Sequence, residues 1–466
     1  MTPTVKIALL AAAGALSLSA CTMAPRYERS ALPVPDQFPT AQVSSGASAE
    51  TLQWRQVFLD PRLQAVIAQS LENNRDLRVA VLNVERARQQ YRIQRANLVP
   101  GAQGTVSGFR GDTGAVNPAT GAPVGETESY TADIGASWEL DLFGRVRSLS
   151  RSAQQRFFAT AENRKAAQIS LVGAVASSWL ALAADEDQLR LSRETLRLRD
   201  ESLSLMRQRF DAGASDQLTL RQTEVLAEQA RADVATLTAQ VQQDRNALRL
   251  LVGAEVAAEN LPQTFPENAF LADLPVGLPS DVLLKRPDVL AAEYNLKAAN
   301  ADIGAARAAL FPRISLTGSV GKASGDLDGL FDGTDTWTFA PSISVPIFAG
   351  GANLANLRAT RTSRDIALAQ YEGAIQTAFR DVSDELAVRA TIDDRLNATN
   401  RVVEAAADSN RLAQQRFREG IDSRLTLTDA ERTLYGAQQA QIGVRLVRAI
   451  NLINLYAATG GGFDAE

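Results

Sequence analysis

The 466-residue chain has no histidine, one cysteine and three methionines. Missing histidine removes the side chain whose ordinary pKa lies nearest neutrality and also the commonest metal ligand, while a sole cysteine has no disulfide partner within the chain. No glycine-rich phosphate loop or nucleophile–base set is present either, so enzyme chemistry has little to stand on. Positive charge is not in excess. The 48 Lys and Arg against 53 Asp and Glu leave a net charge of −5 and a pI near 5.3, which argues against nucleic acid as the main partner. After the N-terminal segment no uninterrupted apolar run approaches the ~18 residues of a transmembrane helix, so any spanning part must be β-structure. Proline is absent from Arg145 to Ala212, a stretch with a single glycine, Gly173.

What is present begins with an export signal over residues 1–20. Lys6 is the only charge ahead of an apolar run from Ile7 to Leu18, which meets the small residues Ser19 and Ala20. A core of about 7–15 apolar residues suits a signal and is too short to cross a bilayer. Leu18-Ser19-Ala20-Cys21 resembles the bacterial lipobox. That resemblance implies that Cys21 becomes the mature N-terminus and carries acyl and diacylglycerol groups; no other cofactor and no metal is expected. Thr22, in place of the aspartate of an inner-membrane retention signal, implies sorting to the outer membrane.

Most of the remaining text is written twice. Arg95-Ala96-Asn97-Leu98-Val99-Pro100 returns as Arg307-Ala308-Ala309-Leu310-Phe311-Pro312, an offset of 212. Gln208-Arg209-Phe210 with Gly213, Leu218-Thr219-Leu220 and Glu224 returns as Gln415-Arg416-Phe417 with Gly420, Leu425-Thr426-Leu427 and Glu431, an offset of 207. A period near 210 is too long for a solenoid and reads as a duplicated domain-sized unit. The expected layout is a lipid-anchored extended segment over 21–60, a first repeat over 61–253, a linker over 254–280, a second repeat over 281–460 and a tail over 461–466.

Each repeat carries one hairpin of alternating strands, because Pro100 and Pro312 stop the helices before them. In 313–321, Ile314, Leu316, Gly318 and Val320 alternate with Arg313, Ser315, Thr317 and Ser319. In 336–347, Trp337, Phe339, Ile343, Val345 and Ile347 oppose Thr336, Thr338, Ser342 and Ser344. The first repeat repeats the pattern over 129–141, where Tyr130, Ile134, Trp138 and Leu140 face away from Thr131, Asp133, Ser137 and Glu139, with a weaker partner at 101–110. A half-buried soluble hairpin has the same period. Aromatic residues near the strand ends and acidic or hydroxylic opposite faces favour a membrane barrel with a wet lumen. Four strands cannot close one, and lipid does not tolerate open edges, so several chains must combine.

Long helices are predicted over ~145–212, ~216–252, ~351–419 and ~423–458. Leu182, Leu189, Leu196, Leu203 and Phe210 recur at sevens; Ala184, Leu191, Leu198 and Leu205 form a second such column on the opposite side. Leu218, Val225, Ala232 and Ala239 accompany Leu220, Ala227, Val234, Val241 and Leu248 in the same way. In the second repeat the columns are partial: Leu396, Val403 and Phe417 are interrupted by Asn410, and Ala398, Ala405 and Leu412 form the other. Two seams per helix imply neighbours on both sides, as in a cylinder of helices; a solid bundle with broad apolar faces is the alternative. The turns at 211–216 and 419–423 have Gly213 and Gly420 as C-terminal caps and Ser215 or Asp216, and Asp422 or Ser423, as N-caps.

These residues, and above all Leu284-Lys285-Arg286-Pro287-Asp288-Val289-Leu290-Ala291-Ala292-Glu293, Phe311-Pro312-Arg313-Ile314-Ser315-Leu316 and Trp138-Glu139-Leu140-Asp141-Leu142-Phe143-Gly144, resemble the outer membrane efflux proteins of Gram-negative bacteria. The OprM-like lipoprotein branch is a better match than TolC itself. The resemblance implies a mainly α chain with a small β part: a homotrimer with a twelve-stranded transmembrane β-barrel, four strands per chain, continuing into a long periplasmic α-helical barrel. It implies a passive exit duct for drugs and small amphiphiles, served by an inner-membrane transporter of the resistance-nodulation-division class and a periplasmic adaptor. Arg416, Phe417, Arg418, Leu425 and Asp429 match the family's periplasmic gate and latch positions. The hairpin tips Gly213, Ala214, Ser215, Gly420, Ile421, Asp422 and Ser423 match its adaptor-contacting positions. Three Leu425 side chains would block an axis and Asp429 would pair with an arginine, against the alternative of an ordinary surface ion pair worth only ~0–1 kcal/mol. Gln222 replaces Asp429 in the first repeat, and Phe417 stands where many relatives carry tyrosine. A TolC-like duct for type I protein secretion and a non-conducting structural envelope lipoprotein are the alternative readings.

Overall fold

The structure, a computed structural model, describes residues 22–39, 53–266 apart from 113, 117 and 124, and 280–461. The expected signal peptide, Cys21, part of the expected linker and most of the tail lie outside the described residues. In chain order the elements are α1 (Trp54–Val57), α2 (Pro61–Asn73), α3 (Arg75–Ala96), β1 (Gly101–Asp112), β2 (Glu126–Leu140), α4 (Arg145–Asp211), α5 (Gln217–Val252), α6 (Pro287–Ala308), β3 (Arg313–Ser324), β4 (Thr334–Ser344), α7 (Ala352–Arg418) and α8 (Arg424–Ala458). α4 and α7 each run for 67 residues, ~100 Å at 1.5 Å per residue.

Two compact units divide the chain. The first holds Asn83–Ala161, Ala291–Tyr371 and the N-terminal residues to Ala31; the second holds Leu32–Leu82, Glu162–Leu290 and Glu372 onward.

The first unit contains a four-stranded antiparallel sheet in the order β1-β2-β3-β4. Its register lines up Leu140, Ile314 and Ile343, then Trp138, Leu316 and Pro341, then Ile134, Val320 and Trp337, so that one face is apolar across the sheet. The opposite face is hydroxylic: Ser315 and Ser342 Oγ lie 3.0 Å apart, and Ser319 Oγ is 2.8 Å from Thr338 Oγ1. The apolar face is not covered, since Trp337 is 77 % exposed and Ile134 65 %. β4 stops at Ser344 rather than reaching Ile347, because its partner β3 begins at Arg313 opposite Ser344, directly after Pro312, and Pro346 has no N–H to extend the ladder. β1 and β2 run further than expected at their joined ends, where Arg110 pairs with Glu126 and Glu128 at 3.1 and 3.2 Å.

The motifs that carry the resemblance prove to be joints and clamps. Asp141 caps α4, its carboxylate accepting from the N–H groups of Val146 and Arg147 at 3.0 and 2.8 Å. Glu139 holds Arg145 through two bonds of 2.8 and 2.6 Å, and Phe143 stacks on Phe311. Residues 22–31 lie beside α6 in the opposite direction. Arg307 donates to the carbonyl of Met23 at 3.0 Å, Asn300 to that of Pro25 at 2.7 Å, and Tyr27 and Arg29 to Glu293 at 2.9 Å. Glycine is required at 304, where a Cβ would come within 2.6 Å of Ser148 Oγ and 2.8 Å of the Ala24 nitrogen. Burial would push the Glu293 carboxyl up, but the hydrogen bonds from Arg29 and Tyr27 and the charge of Lys297 outweigh it and hold the group below its ordinary value.

In the second unit the apolar middle of α4 is core: Val175, Ala176, Trp179, Leu180 and Ala183 are fully buried. α4 does contain an 18-residue window with a mean hydropathy of 1.5, half of it buried within the chain. Trp179 Nε1 donates to the carbonyl of Asn260 at 2.9 Å, and Phe58 packs edge-on against Tyr456. Gly253 ends α5 in the left-handed region at φ 74°, where a Cβ would sit 2.5 Å from the carbonyl oxygen of Asn73.

Candidate functional site

Cross-helix bonds in the second unit fix which helices are neighbours. α4 pairs with α5 through Glu186–Arg245 (2.7 Å), Asp200–Arg231 (2.9 Å) and Arg207–Glu224 (3.5 Å), three antiparallel pairs whose residue numbers each add to 431. α7 pairs with α8 through Asp393–Arg448 (2.7 Å) and Asn400–Gln441 (2.8 Å), each adding to 841. α4 also pairs with α8, through Ser192–Tyr435 (2.5 Å) and Ser202–Arg424 (2.8 Å), which add to 627 and 626. α4 therefore has both α5 and α8 as neighbours within one chain.

Only part of each seam is filled within the chain. On α4, Leu182, Leu189 and Leu203 are buried while Leu198 and Leu205 stay about half exposed. On α5, Ala227, Val241 and Leu248 are buried while Leu218 and Val225 are 68 % and 62 % exposed. On α7, Val403 and Phe417 are half-buried whereas Leu412 is exposed.

The helical hairpins end in two related tips. In both, a glycine with φ 72° (Gly213, Gly420) closes the helix. The N–H of Ala214 then donates to the carbonyl of Arg209 at 2.8 Å, and that of Ile421 to Arg416 at 2.9 Å. The N-caps resolve to Asp216, which accepts from the Thr219 N–H at 2.9 Å, and to Ser423, whose bond from the Thr426 N–H is longer at 3.4 Å. Asp422, left open as a cap by the sequence, instead accepts from Arg416 at 2.7 and 3.0 Å. Hydrogen bonds from Arg416 hold the Asp422 carboxyl below the usual carboxylate range.

Of the five candidate gate residues, the structure gathers Arg416, Phe417 and Arg418 on the last turn of α7 and Leu425 and Asp429 on the first turns of α8. Leu425 is 69 % exposed, and Arg418 and Asp429 are exposed too. The Asp429 carboxylate has no hydrogen bond or ion pair among the described residues, while Arg416 is committed to Asp422. Within one chain the expected Asp429–arginine pair is therefore not made. Phe417 lies under Arg424, whose guanidinium carbon is 5.7 Å from the ring centroid. At the tips Gly213, Ala214, Gly420, Ile421 and Ser423 are exposed, and Ser215 donates to Met206 Sδ at 3.1 Å.

Nothing in the sequence marks Arg424 or Tyr435. Both depend on partners more than 200 residues away, and only the α4–α8 register brings those partners within reach. Among the described residues no group of three or more metal-ligating side chains exists.

A family model described as "Outer membrane efflux protein" matches residues 66–254 and 278–461. The probable efflux pump outer membrane protein TtgC of Pseudomonas putida is 44 % identical over 465 residues, covering 98 % of this chain and 96 % of that protein. Outer membrane protein OprJ of Pseudomonas aeruginosa is 42 % identical, covering 97 % and 95 %. Among solved structures, the open state of the Neisseria gonorrhoeae MtrE outer membrane channel superimposes with a TM-score of 0.86 at 42 % identity, covering 95 % of this chain and 98 % of that chain.

Proposed function

Because the chain belongs to the outer membrane efflux protein family, we infer that it is the outer membrane exit duct of a tripartite efflux pump, passing small amphiphilic compounds outward. The observation that carries this is the four-stranded sheet with two unpaired edges and one uncovered apolar face. In lipid each unpaired backbone group costs several kcal/mol, so the edges β1 and β4 must meet those of other copies. Two copies would make eight strands, a barrel whose interior side chains fill; three copies make twelve and leave a lumen. The hydroxylic face of the sheet suits that wet interior. The half-filled helical seams call for the same neighbours, since Leu198, Leu205, Leu218 and Val225 are open in one chain.

Transport through such a duct is passive; energy comes from an inner-membrane transporter of the resistance-nodulation-division class through a periplasmic adaptor that grips the exposed hairpin tips. Cys21 carries the lipid anchor at the outer membrane. Three exposed Leu425 side chains close the axis, with a ring of three Asp429 carboxylates one turn further along α8. Like charges brought together repel, so the ring needs cations supplied across the chain boundary to stay shut. Single-channel recording on detergent-extracted trimers in lipid bilayers tests this reading: Asp429→Ala raises the open fraction several-fold, and Gln222→Ala at the duplicated position does not. A monomer with no membrane fraction, or a trimer that never conducts even as Asp429→Ala, would sink it.

A further inference from the structure

Tyr435 lies ten residues beyond Leu425 on α8, ~15 Å of helix away from the candidate gate. Its hydroxyl sits between two other helices. It is 2.5 Å from Ser192 Oγ of α4 and donates to Asp233 Oδ2 of α5 at 3.4 Å, so the Ser192 hydroxyl is the donor to Tyr435. Ser192 is fully buried, and Tyr435 and Asp233 are half-buried. The ring is held from another direction by Arg199 of α4, whose guanidinium carbon is 5.6 Å from its centroid and whose Nη1 donates to the carbonyl of Leu226 on α5 at 3.0 Å. Three helices thus meet at one phenol.

Two properties set this tie apart from ordinary packing. The first is chemical. Pulling the phenol out takes from the buried Ser192 hydroxyl its hydrogen-bond partner, so breaking the contact carries a cost that an exposed pair would not. The bond to Asp233 is long, which keeps breaking within reach of a modest force. The second is positional. At the duplicated offset of 207 the three groups become Glu228, Thr399 and Ala440, which cannot rebuild the chain from hydroxyl to phenol to carboxylate. Glu228 is paired instead with Arg231, and the Thr399 hydroxyl turns back to the carbonyl of Arg395. The tie exists in one copy of the repeat, the copy whose α8 carries Leu425 and Asp429.

We propose that Tyr435 is a positioning residue for the gate: its hydroxyl, bonded to Ser192 and Asp233, restrains α8 against α4 and α5, and it must be released for the Leu425 end of α8 to move away from the channel axis. This rests on the exit-duct reading and on the gate at Leu425 and Asp429. It also gives this chain a tyrosine latch inside the helical wall, where Phe417 leaves none at the tip. Burial, opposed by the bond from Ser192 and aided by the Asp233 charge, raises the pKa of the phenol, so the latch keeps its proton at any physiological pH.

The test is Tyr435→Phe, which removes one oxygen and keeps the ring over Arg199, studied in intact trimers beside Asp429→Ala. The expected result is an open fraction raised severalfold in bilayer recordings and faster amide exchange along 427–438, in trimers that still assemble. An open fraction that is unchanged or lowered in Tyr435→Phe overturns the proposal, whatever the exchange shows. If Asp429→Ala opens the channel while Tyr435→Phe does not, the gate stands and the latch falls; if only Tyr435→Phe opens it, the latch stands and the placement of the gate at Asp429 falls. Should Tyr435→Phe fail to form trimers, Asp233→Asn weakens the same tie at its partly exposed end, and the same outcomes decide.

Discussion

The two hairpin tips began as copies of one sequence and are fastened in different ways. In the first, Glu224 on α5 takes both Arg221 of its own helix (2.6 Å) and Arg207 of α4 (3.5 Å), so the stems are bolted together close to the turn. In the second, the matching residues are Glu431, Thr428 and Gln414, and no such bolt can form. Among the described residues the α7–α8 side-chain hydrogen bond nearest the second tip is Asn400–Gln441, 41 residues apart in sequence, against 17 for Arg207–Glu224, and closer to the turn only the Arg424 guanidinium over the Phe417 ring joins the stems. What the second tip has instead is local: Arg416 clasps Asp422 within the turn, where the first tip has Arg209 and Ser215. On the proposed gate, the looser coupling between stems falls in the copy that carries Asp429.

The strongest way to break this contrast is to graft the bolt. Gln414→Arg with Thr428→Arg gives Glu431 the two arginines that Glu224 has, and the expected result is an open fraction lowered roughly fivefold, the scale of two surface ion pairs acting together. The graft is best measured in the Asp429→Ala background, where there is opening to suppress. An undiminished open fraction, with the new pairs visible in a structure of the variant, would show that stem coupling is irrelevant to gating.

A smaller effect follows from exchanging the loop clasps. Asp422→Ser leaves Arg416 as unpaired as Arg209 and is expected to raise the open fraction about twofold and quicken amide exchange over 416–426, as expected for one exposed pair. Ser215→Asp creates the missing partner for Arg209 and is expected to slow exchange at the first tip without touching conductance. Equal effects of the two changes on conductance would mean that the tips are interchangeable after all.

How much of this was legible in advance depends on the range of the interaction. The strands show in the sequence because one face meets an apolar surround and the other water, which forces a period of two on Ile134, Trp138, Ile314 and Trp337. Helix ends show because a proline gap and a glycine at φ 72° are local facts. The two heptad columns on α4 implied neighbours on both sides; within the chain the column of Leu182, Leu189 and Leu203 is buried, whereas Leu198 and Leu205 of the other stay about half exposed. Local competition was harder to judge: Asp422 and Ser423 are both good caps, and the choice fell to Ser423 because Arg416 claims the carboxylate. The ties of Tyr435 and Arg424 were not legible at all. Ser192 and Ser202 carry no pattern of their own, and a register between helices some 230 residues apart is set by packing along their whole length.

The smallest expected effect separates the tips by the kind of donor each carboxylate uses. Asp216 sits below the usual aspartate range because the N–H and hydroxyl of Thr219 bond to it, whereas Asp422 does so because Arg416 is its donor. Both pKa values are depressed on folding, so both contributions are present above the ordinary aspartate value of ~3.9 and are lost as the pH falls through the lower folded values. Salt distinguishes them. A backbone N–H cap is short-ranged and little screened, while an exposed guanidinium–carboxylate pair weakens as the Debye length shrinks from ~10 Å at 0.1 M to ~3 Å at 1 M. At pH 6, raising the salt from 0.1 to 1 M is expected to lower amide protection over 420–426 and to leave 217–220 unchanged; at pH 3 both tips lose protection at either salt. Loss of protection at the first tip in 1 M salt at pH 6 would show that its cap draws on long-range charge, and the contrast between a backbone-fastened tip and a charge-fastened one would be gone.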